Sequence, residues 1–387
     1  MKTIQRLIYK EIVSAVGFVI VGFLGLFFFF DLIDELQWVG KGVELNAAGK
    51  LDLDKIYLLP QAFTYVALIV PSHIYELMPI AVLIGTIFVM ARLAQSSEFT
   101  ILRTSGLGPV KALRVLSGLG LAFVVLTFVV GDYLSPFCDR QAQLLRSKYL
   151  GQITVGQTGA WLNEKQTLTH QAVNVGSITP AGNLKDIKVY EFSVQGKLLS
   201  LTQAVSGEFV PEQDAWLLHQ VHRDEFNPLD DAKSQTPDLV VKAVKRLELD
   251  TLNWPTTIKP EMVAVALLKP ERMSTFDLFQ YIQHLQSNAQ TAQRYEIEFW
   301  KKVFYPISCL VMVVLALPFG YLHFRSGNIA TMVFAGVMIG ISFFLMNNVF
   351  GYIGNLKQWV PWLAAAAPGL IYSVVSLTAF GWLVLRQ

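Results

Sequence analysis

Residues 12–30 run without a single charged side chain. A bilayer core about 30 Å thick takes roughly 20 apolar residues in helical form, because its backbone groups find no water and must bond within their own segment. A run of this length therefore fixes the solvent before it fixes the fold. Lys2, Arg6 and Lys10 precede it, and Asp31, Asp34 and Glu35 follow. The flanks have the charge order of a signal peptide. The run is too long for that, however, and no small-residue cleavage site follows, so it is expected to be retained. Five further runs cover about 63–92, 110–134, 303–322, 329–350 and 359–385. Six transmembrane helices are expected. The second run exceeds what a bilayer requires, and Pro71 and Pro79 inside it are expected to kink it. Composition agrees: 53% of residues are hydrophobic and 16% charged, against about 25% charged in soluble domains.

The side on which each loop lies follows from Lys and Arg, which collect on the cytoplasmic face of short loops. Lys2, Arg6, Lys10, Arg92, Arg103, Lys111, Arg114, Arg325 and Arg386 fall on one side; Lys41, Lys50, Lys55 and Lys357, diluted by Asp and Glu, fall on the other. The first set is expected to be cytoplasmic, with both termini. Residues 1–135 then form one membrane half, 136–300 an extracytoplasmic domain, and 301–387 a second membrane half. Ile4, Leu7 and Ile8 share a helical face among Lys2, Arg6 and Lys10, which suits a short helix lying in the inner interface.

The long polar stretch reads as strands. Turn residues at 179–183, Gln195-Gly196 and Asn227-Pro228 separate candidates at 160–175, 185–193, 197–210, 215–226 and 239–250. In the last, Val241, Ala243, Leu247 and Leu249 alternate with Lys242, Arg246, Glu248 and Asp250, the period of a half-buried strand. Several such strands suggest a sandwich or jellyroll. At Ser274 the period turns helical: Ser274 can cap, with Asp277 three residues on. His219 and His222 are three apart, so on a regular strand they point to opposite faces and share no metal. Cys138 and Cys309 have no metal-ligand or disulfide spacing. There is no H-E-x-x-H, no G-x-S-x-G and no phosphate-cradling G-x-x-x-x-G-K-[ST] loop. No catalytic site, metal or cofactor is expected on this chain. The net charge of +2 gives no argument for nucleic acid.

The loop at 94–106 has helix grammar of its own. Ser96 or Ser97 can be the N-cap, Glu98 lies in the first turn, and Gly106 is a natural stop. Glu98, Ile101, Leu102 and Ser105 fall on one face. The segment resembles the coupling helix of an ABC permease; a plain interfacial turn is the alternative.

Taken together, the chain resembles the paired permeases of the lipopolysaccharide-export ABC transporter, the LptF/LptG family, over its whole length. The matches are Leu93-Ala94-Gln95-x-Ser97-Glu98 with Ser105-Gly106, then Tyr295, Trp300, Lys302 and Pro306 entering span four, and Phe350-Gly351 closing span five. The short tail after span six favours the LptG type of the pair. The resemblance implies an α-helical membrane protein with a periplasmic β-jellyroll between helices three and four, placed in the bacterial inner membrane. It implies an LptF-type permease partner, an LptB-type ATPase dimer that binds ATP and magnesium, an LptC-type single-span protein and a periplasmic LptA-type bridge. Lipopolysaccharide would be the substrate. Glu98, Ile101, Leu102 and Ser105 would couple to the ATPase. Lys41, Arg140 and Arg146 would meet the lipid phosphates, with Lys148 close by. Two positions depart from the pattern: Asp31 stands where a lysine is expected, and Gln143 where a basic residue precedes Arg146. Two other readings are a permease of another class, such as lipoprotein release, and a membrane-anchored scaffold without transport. The first has four spans with its domain after the first, unlike this hydropathy; the second has no ATPase partner and no need of Glu98.

Overall fold

The computed structural model describes residues 2–40, 56–96, 108–150, 160–165, 169–179, 182–226, 244–256, 258–260, 263, 270–288, 290–321 and 329–385. Lys41, Glu98, Ile101, Leu102, Ser105 and Arg325 lie outside the described residues, as do Asn227-Pro228 and 239–243. Helix α1 (Lys2–Leu36) carries the first apolar run within one continuous element. No separate interfacial helix precedes the run, because Ile8 and Ile12 are buried against the neighbouring helices and continue the same face. Arg92 Nη2 donates to Glu11 Oε2 at 2.6 Å, joining α1 to α2 (Leu59–Gln95).

Helix α2 is the axis of the bundle. From Leu77 to Leu93 it is buried but for Phe88 and Arg92, and it runs through both Pro71 and Pro79 as one 37-residue element. It contributes to three apolar clusters. One joins it to α1, to α3 (Pro109–Val129) and to α7 (Ile307–Ala316) through Ile12, Met78, Val82, Leu116, Phe123 and Val313. The second joins it to α7, α8 (Ile329–Leu356) and α9 (Pro361–Leu385) through Ile87, Met312, Phe343 and Tyr372. Lipid tails are as apolar as Leu, so close approach of backbones decides which helices pair. Gly85 makes that approach possible: a Cβ there would lie 2.8 Å from the backbone nitrogen of Val16.

Helix α3 does not end with its apolar run. It passes through a π turn at Val130–Leu134 into α4 (Ser135–Leu150), so the helix projects well beyond the expected end of the third span. After the sheet, α5 (Thr275–Ser287) begins at the expected Ser274. Asp277 N donates to Ser274 Oγ at 3.1 Å, and Ser274 N donates to Asp277 Oδ2 at 3.4 Å. Helix α6 (Gln293–Phe304) and the α7 segment extending to Gly320 bend by 49° around Pro306, which interrupts the ladder of backbone bonds. Among the described residues, five helices are long and apolar enough to cross a membrane, or six if the bent pair is one span.

Between the helical halves lies one antiparallel sheet in chain order: β1 (Ala160–Lys165), β2 (Thr169–Ile178), β3 (Leu184–Ser193), β4 (Leu198–Val210), β5 (Ala215–Phe226) and β6 (Val244–Pro255). The segment read from sequence as one strand at 160–175 is a hairpin, β1 and β2. Strand β6 is largely exposed, not half-buried: Trp254 alone of its side chains is buried, and among the described strands its neighbour is β5. The described strands form a single meander; two packed sheets are not among them.

A crease crosses this sheet. Ile187 pairs with Ala204 and Lys185 with Ser206, and between them Asp186 has φ 53°. Ala204 pairs with Val221 and Ser206 with His219, and between these Gln220 has φ 52°. The row continues through Val205 to Asp250. Across it the inward alternation slips by one residue: Ala204 then Gly207, Val221 then Leu218, Ile187 then Leu184 are buried. A residue at positive φ reverses the local turn of the chain, so the strands bend together at this row. The slip also places His219 and His222 on the same side, away from the core, contrary to the simple period of two. The inner face packs on Tyr281, Ile282 and Leu285 of α5, with Trp216 Nε1 donating to the Ile258 carbonyl at 2.7 Å.

Candidate functional site

Arg146 lies on α4 where that helix passes the ends of α1 and α2. Its guanidinium carbon is 4.5 Å from the Trp38 ring centre and 5.3 Å from that of Tyr65. Nη1 donates to Tyr65 Oη at 3.4 Å, and Nε lies 3.9 Å from Glu35 Oε1. Glu35 is 4% exposed, and accepts a 2.7 Å bond from Tyr57 Oη. Burial, followed by that bond to Glu35, pushes the Tyr57 phenol well above its ordinary value. A buried carboxylate needs both a counter-charge and donors; Arg146 and Tyr57 supply them. Arg146 remains 29% exposed. A guanidinium has five N–H donors in a planar fork, more than these two contacts use. The two rings fix the plane in which they are offered.

Arg140 faces elsewhere. It is 58% exposed, and its Nη2 lies 3.7 Å from Asp277 Oδ2 on α5. The structure therefore gives the two arginines separate surroundings: Arg146 a cage between spans, Arg140 an open ion pair with the sheet-side helix. Lys148 lies on α4 with its side chain outside the description, and Gln143 is half-buried there.

A second polar group lies between the spans near the cage. His73 Nε2 and Asp31 Oδ2 are 2.6 Å apart, with the His73 ring stacked on Phe27 at 4.8 Å. The neighbouring Ser72 Oγ donates to Asp139 Oδ2 at 2.8 Å and lies 2.6 Å from Ser135 Oγ. Buried Lys302 on α6 donates to the Gly131 carbonyl at 3.1 Å, inside the π turn, and sits over the Tyr75 ring. A Cβ on Gly131 would overlap that ring. Tyr305 Oη donates to the Glu76 carbonyl at 2.5 Å. The wider π turn, the glycine and the lysine thus form one joint between the two helical halves. Sequence reading passed over His73 and Glu76 because it treated 63–92 as a span and nothing more. Ionisable residues inside an apolar run are expensive, and their presence there was the available signal.

No group of three His, Cys, Asp or Glu side chains able to hold a metal occurs among the described residues. Cys138 and Cys309 are free thiols. Long apolar helices, an inserted antiparallel sheet and ionisable side chains paired between spans define a polytopic membrane protein with a sheet domain set into its helical bundle. The particular family follows from comparison: the model of the lipopolysaccharide export system permease LptF/LptG matches residues 6–383, and the chain belongs to that family. It is 26% identical over 392 residues to the lipopolysaccharide export system permease protein LptG of Haemophilus influenzae, covering 100% of this chain and 99% of that protein. It is 26% identical over 387 residues to the protein of the same name from Escherichia coli K12, covering 99% of this chain and 98% of the relative.

Proposed function

We propose that this chain is the LptG-type permease subunit of an ABC transporter that extracts lipopolysaccharide from the inner membrane and passes it to a periplasmic bridge. Its partners in this reading are an LptF-type permease, an LptB-type ATPase dimer, an LptC-type single-span protein and, through the complex, an LptA-type bridge. The observation that carries it is the extent of the family match, which takes in both helical halves and the sheet between them. ATP and magnesium belong to the ATPase. The Lys and Arg asymmetry of the loops supports both termini in the cytoplasm and the sheet in the periplasm. The jellyroll-type domain rests on the family resemblance; the described strands supply one creased sheet with an apolar inner face.

Arg146, with its spare donors, and the exposed Arg140 are the described candidates for the lipid phosphates; Lys41 is the third. Glu98, Ile101, Leu102 and Ser105 lie between the end of α2 and the start of α3 and form the proposed contact with the ATPase. If Glu98 acts only within its own helix, Glu98→Ala changes stability by about 0.3–1 kcal/mol. If it anchors the interface, truncation weakens docking by about 2–5 kcal/mol. Glu98→Lys is expected to reach normal membrane levels yet recover less ATPase and release little lipid. Normal levels, ATPase recovery and ATP-driven release in Glu98→Lys would return the loop to a plain connector.

A further inference from the structure

Helix α5 has two unlike faces. One closes the sheet core through Tyr281, Ile282 and Leu285. The other begins with Phe276 and Phe279, which are 66% and 48% exposed. Three residues apart, they form one stripe. Further along, that side continues with Gln280, Gln283 and Gln286, all exposed. The apolar surface is thus confined to the start of the helix. A helix that docks into a protein groove carries its anchors along several turns. A helix that meets a bilayer with one end carries them at that end, with polar residues beyond.

The fold shows which end lies against the membrane. Asp132 Oδ1, on the π turn of the third span, accepts from Thr275 N at 2.7 Å and from Thr275 Oγ1 at 2.5 Å. The start of α5 is therefore tied to a span. The depth can be read from α6. Gln293 Nε2 donates to the Trp359 and Gly354 carbonyls, at 2.6 and 3.3 Å, where α8 passes into α9. From there α6 runs towards the bend at Pro306, and Phe299 lies about 9 Å along it at 1.5 Å per residue. Phe279 packs on Phe299 with ring centres 6.3 Å apart. Phe279 thus lies past the connection between two membrane spans, on the stretch of α6 that leads to the bend at Pro306. On the third span and its continuation, Tyr133, next to the Asp132 that holds Thr275, and Phe137 are also exposed, by 65% and 62%.

We propose that Phe276 and Phe279 are seated in the leaflet on the sheet side, at the boundary of head groups and acyl chains, so that α5 docks the sheet domain onto lipid. One helix then serves as floor of the sheet core and as anchor. The occupant is the surrounding bilayer. Aromatic rings favour this boundary, and the glutamines that follow mark where the helix leaves it.

The test uses the complete transporter in liposomes of phosphatidylethanolamine and phosphatidylglycerol, without lipopolysaccharide. On a Cys138→Ser background, with Cys309 buried, nitroxides are placed through Phe276→Cys, Phe279→Cys, Gln283→Cys and Gln286→Cys, one at a time. Collision rates with oxygen and with a water-soluble nickel chelate are compared. Oxygen is expected to dominate at 276 and 279 and the chelate at 283 and 286, reversing the ratio within one helix. Dominance of the chelate at 276 and 279 would place them in water and overturn the proposal. Low rates for both reagents would show a protein contact and overturn it equally. So would an oxygen signal that appears only after lipopolysaccharide is added, because the acyl chains would then be the substrate's.

Discussion

Replacing Arg146 by alanine removes a ring-stacked cation and leaves Glu35 buried beside Tyr57 alone. Breaking a fully buried pair costs about 3–5 kcal/mol. Here the contact is 3.9 Å and the arginine 29% exposed, so solvent screening brings the expected loss to about 1–3 kcal/mol. The thermal midpoint of the purified chain is expected to fall in Arg146→Ala even without lipid. Arg146→Lys keeps the charge but not the planar fork, and is expected to fall between. An unchanged midpoint in Arg146→Ala would show that the cage has no part in stability. Sequence reading found Arg146 through its place in a family pattern but not Glu35, Tyr57 or Trp38, which stand up to about a hundred residues away in the chain. Nothing local marks a carboxylate at the end of an apolar run as an arginine's partner. Only packing brings them together.

At the scale of elements, the apolar runs were legible because the requirement they answer is local: each helix must satisfy its own backbone within the bilayer. The capping box at Ser274 was legible for the same reason. The crease was missed although its signal is in the sequence. Inward positions three apart recur at Val221 with Leu218, Ala204 with Gly207 and Ile187 with Leu184, each a slip in a period of two. Read strand by strand the slip resembles noise; its alignment into a row appears only with the register. The crease also makes a prediction. At φ 52°, Gln220 occupies backbone space that glycine reaches without strain. Gln220→Gly is expected to keep or raise protection of the β4 and β5 amides in hydrogen exchange. The β-branched Gln220→Val is expected to lower it, by about 1–3 kcal/mol of local stability. Equal protection in the two variants would remove backbone strain as the reason the strands bend there.

At the scale of the whole molecule, the order of the spans and the place of the inserted domain were legible, since hydropathy marks both. The joints between halves were not. Lys302 meets Gly131 across 171 positions of sequence, and no periodicity predicts such a partner. Orientation remains an expectation drawn from loop charge. Reporters fused near Gly196 and Lys357 are expected outside the cytoplasm, and those near Ser105 and Arg325 inside. A cytoplasmic signal from the Gly196 fusion would invert the molecule and reverse the roles given to the loop and the sheet.

Helix α2 also behaves as a mechanical part. Its 37 residues make a rod about 55 Å long at 1.5 Å per residue. One end carries the loop with Glu98; the other reaches the Arg146 cage. From Gln95 to Pro79 the backbone ladder has no proline to break it, so a displacement applied at the loop travels as the motion of a stiff shaft. Between Pro79 and Ala67 two bonds of the ladder are missing, those of Pro79 and Pro71, and the shaft becomes compliant. Ser72, His73 and Glu76 occupy that stretch. In the proposed reading, force from the loop would be delivered as a bend at the polar contacts with spans one and three, and not as a slide of the whole helix.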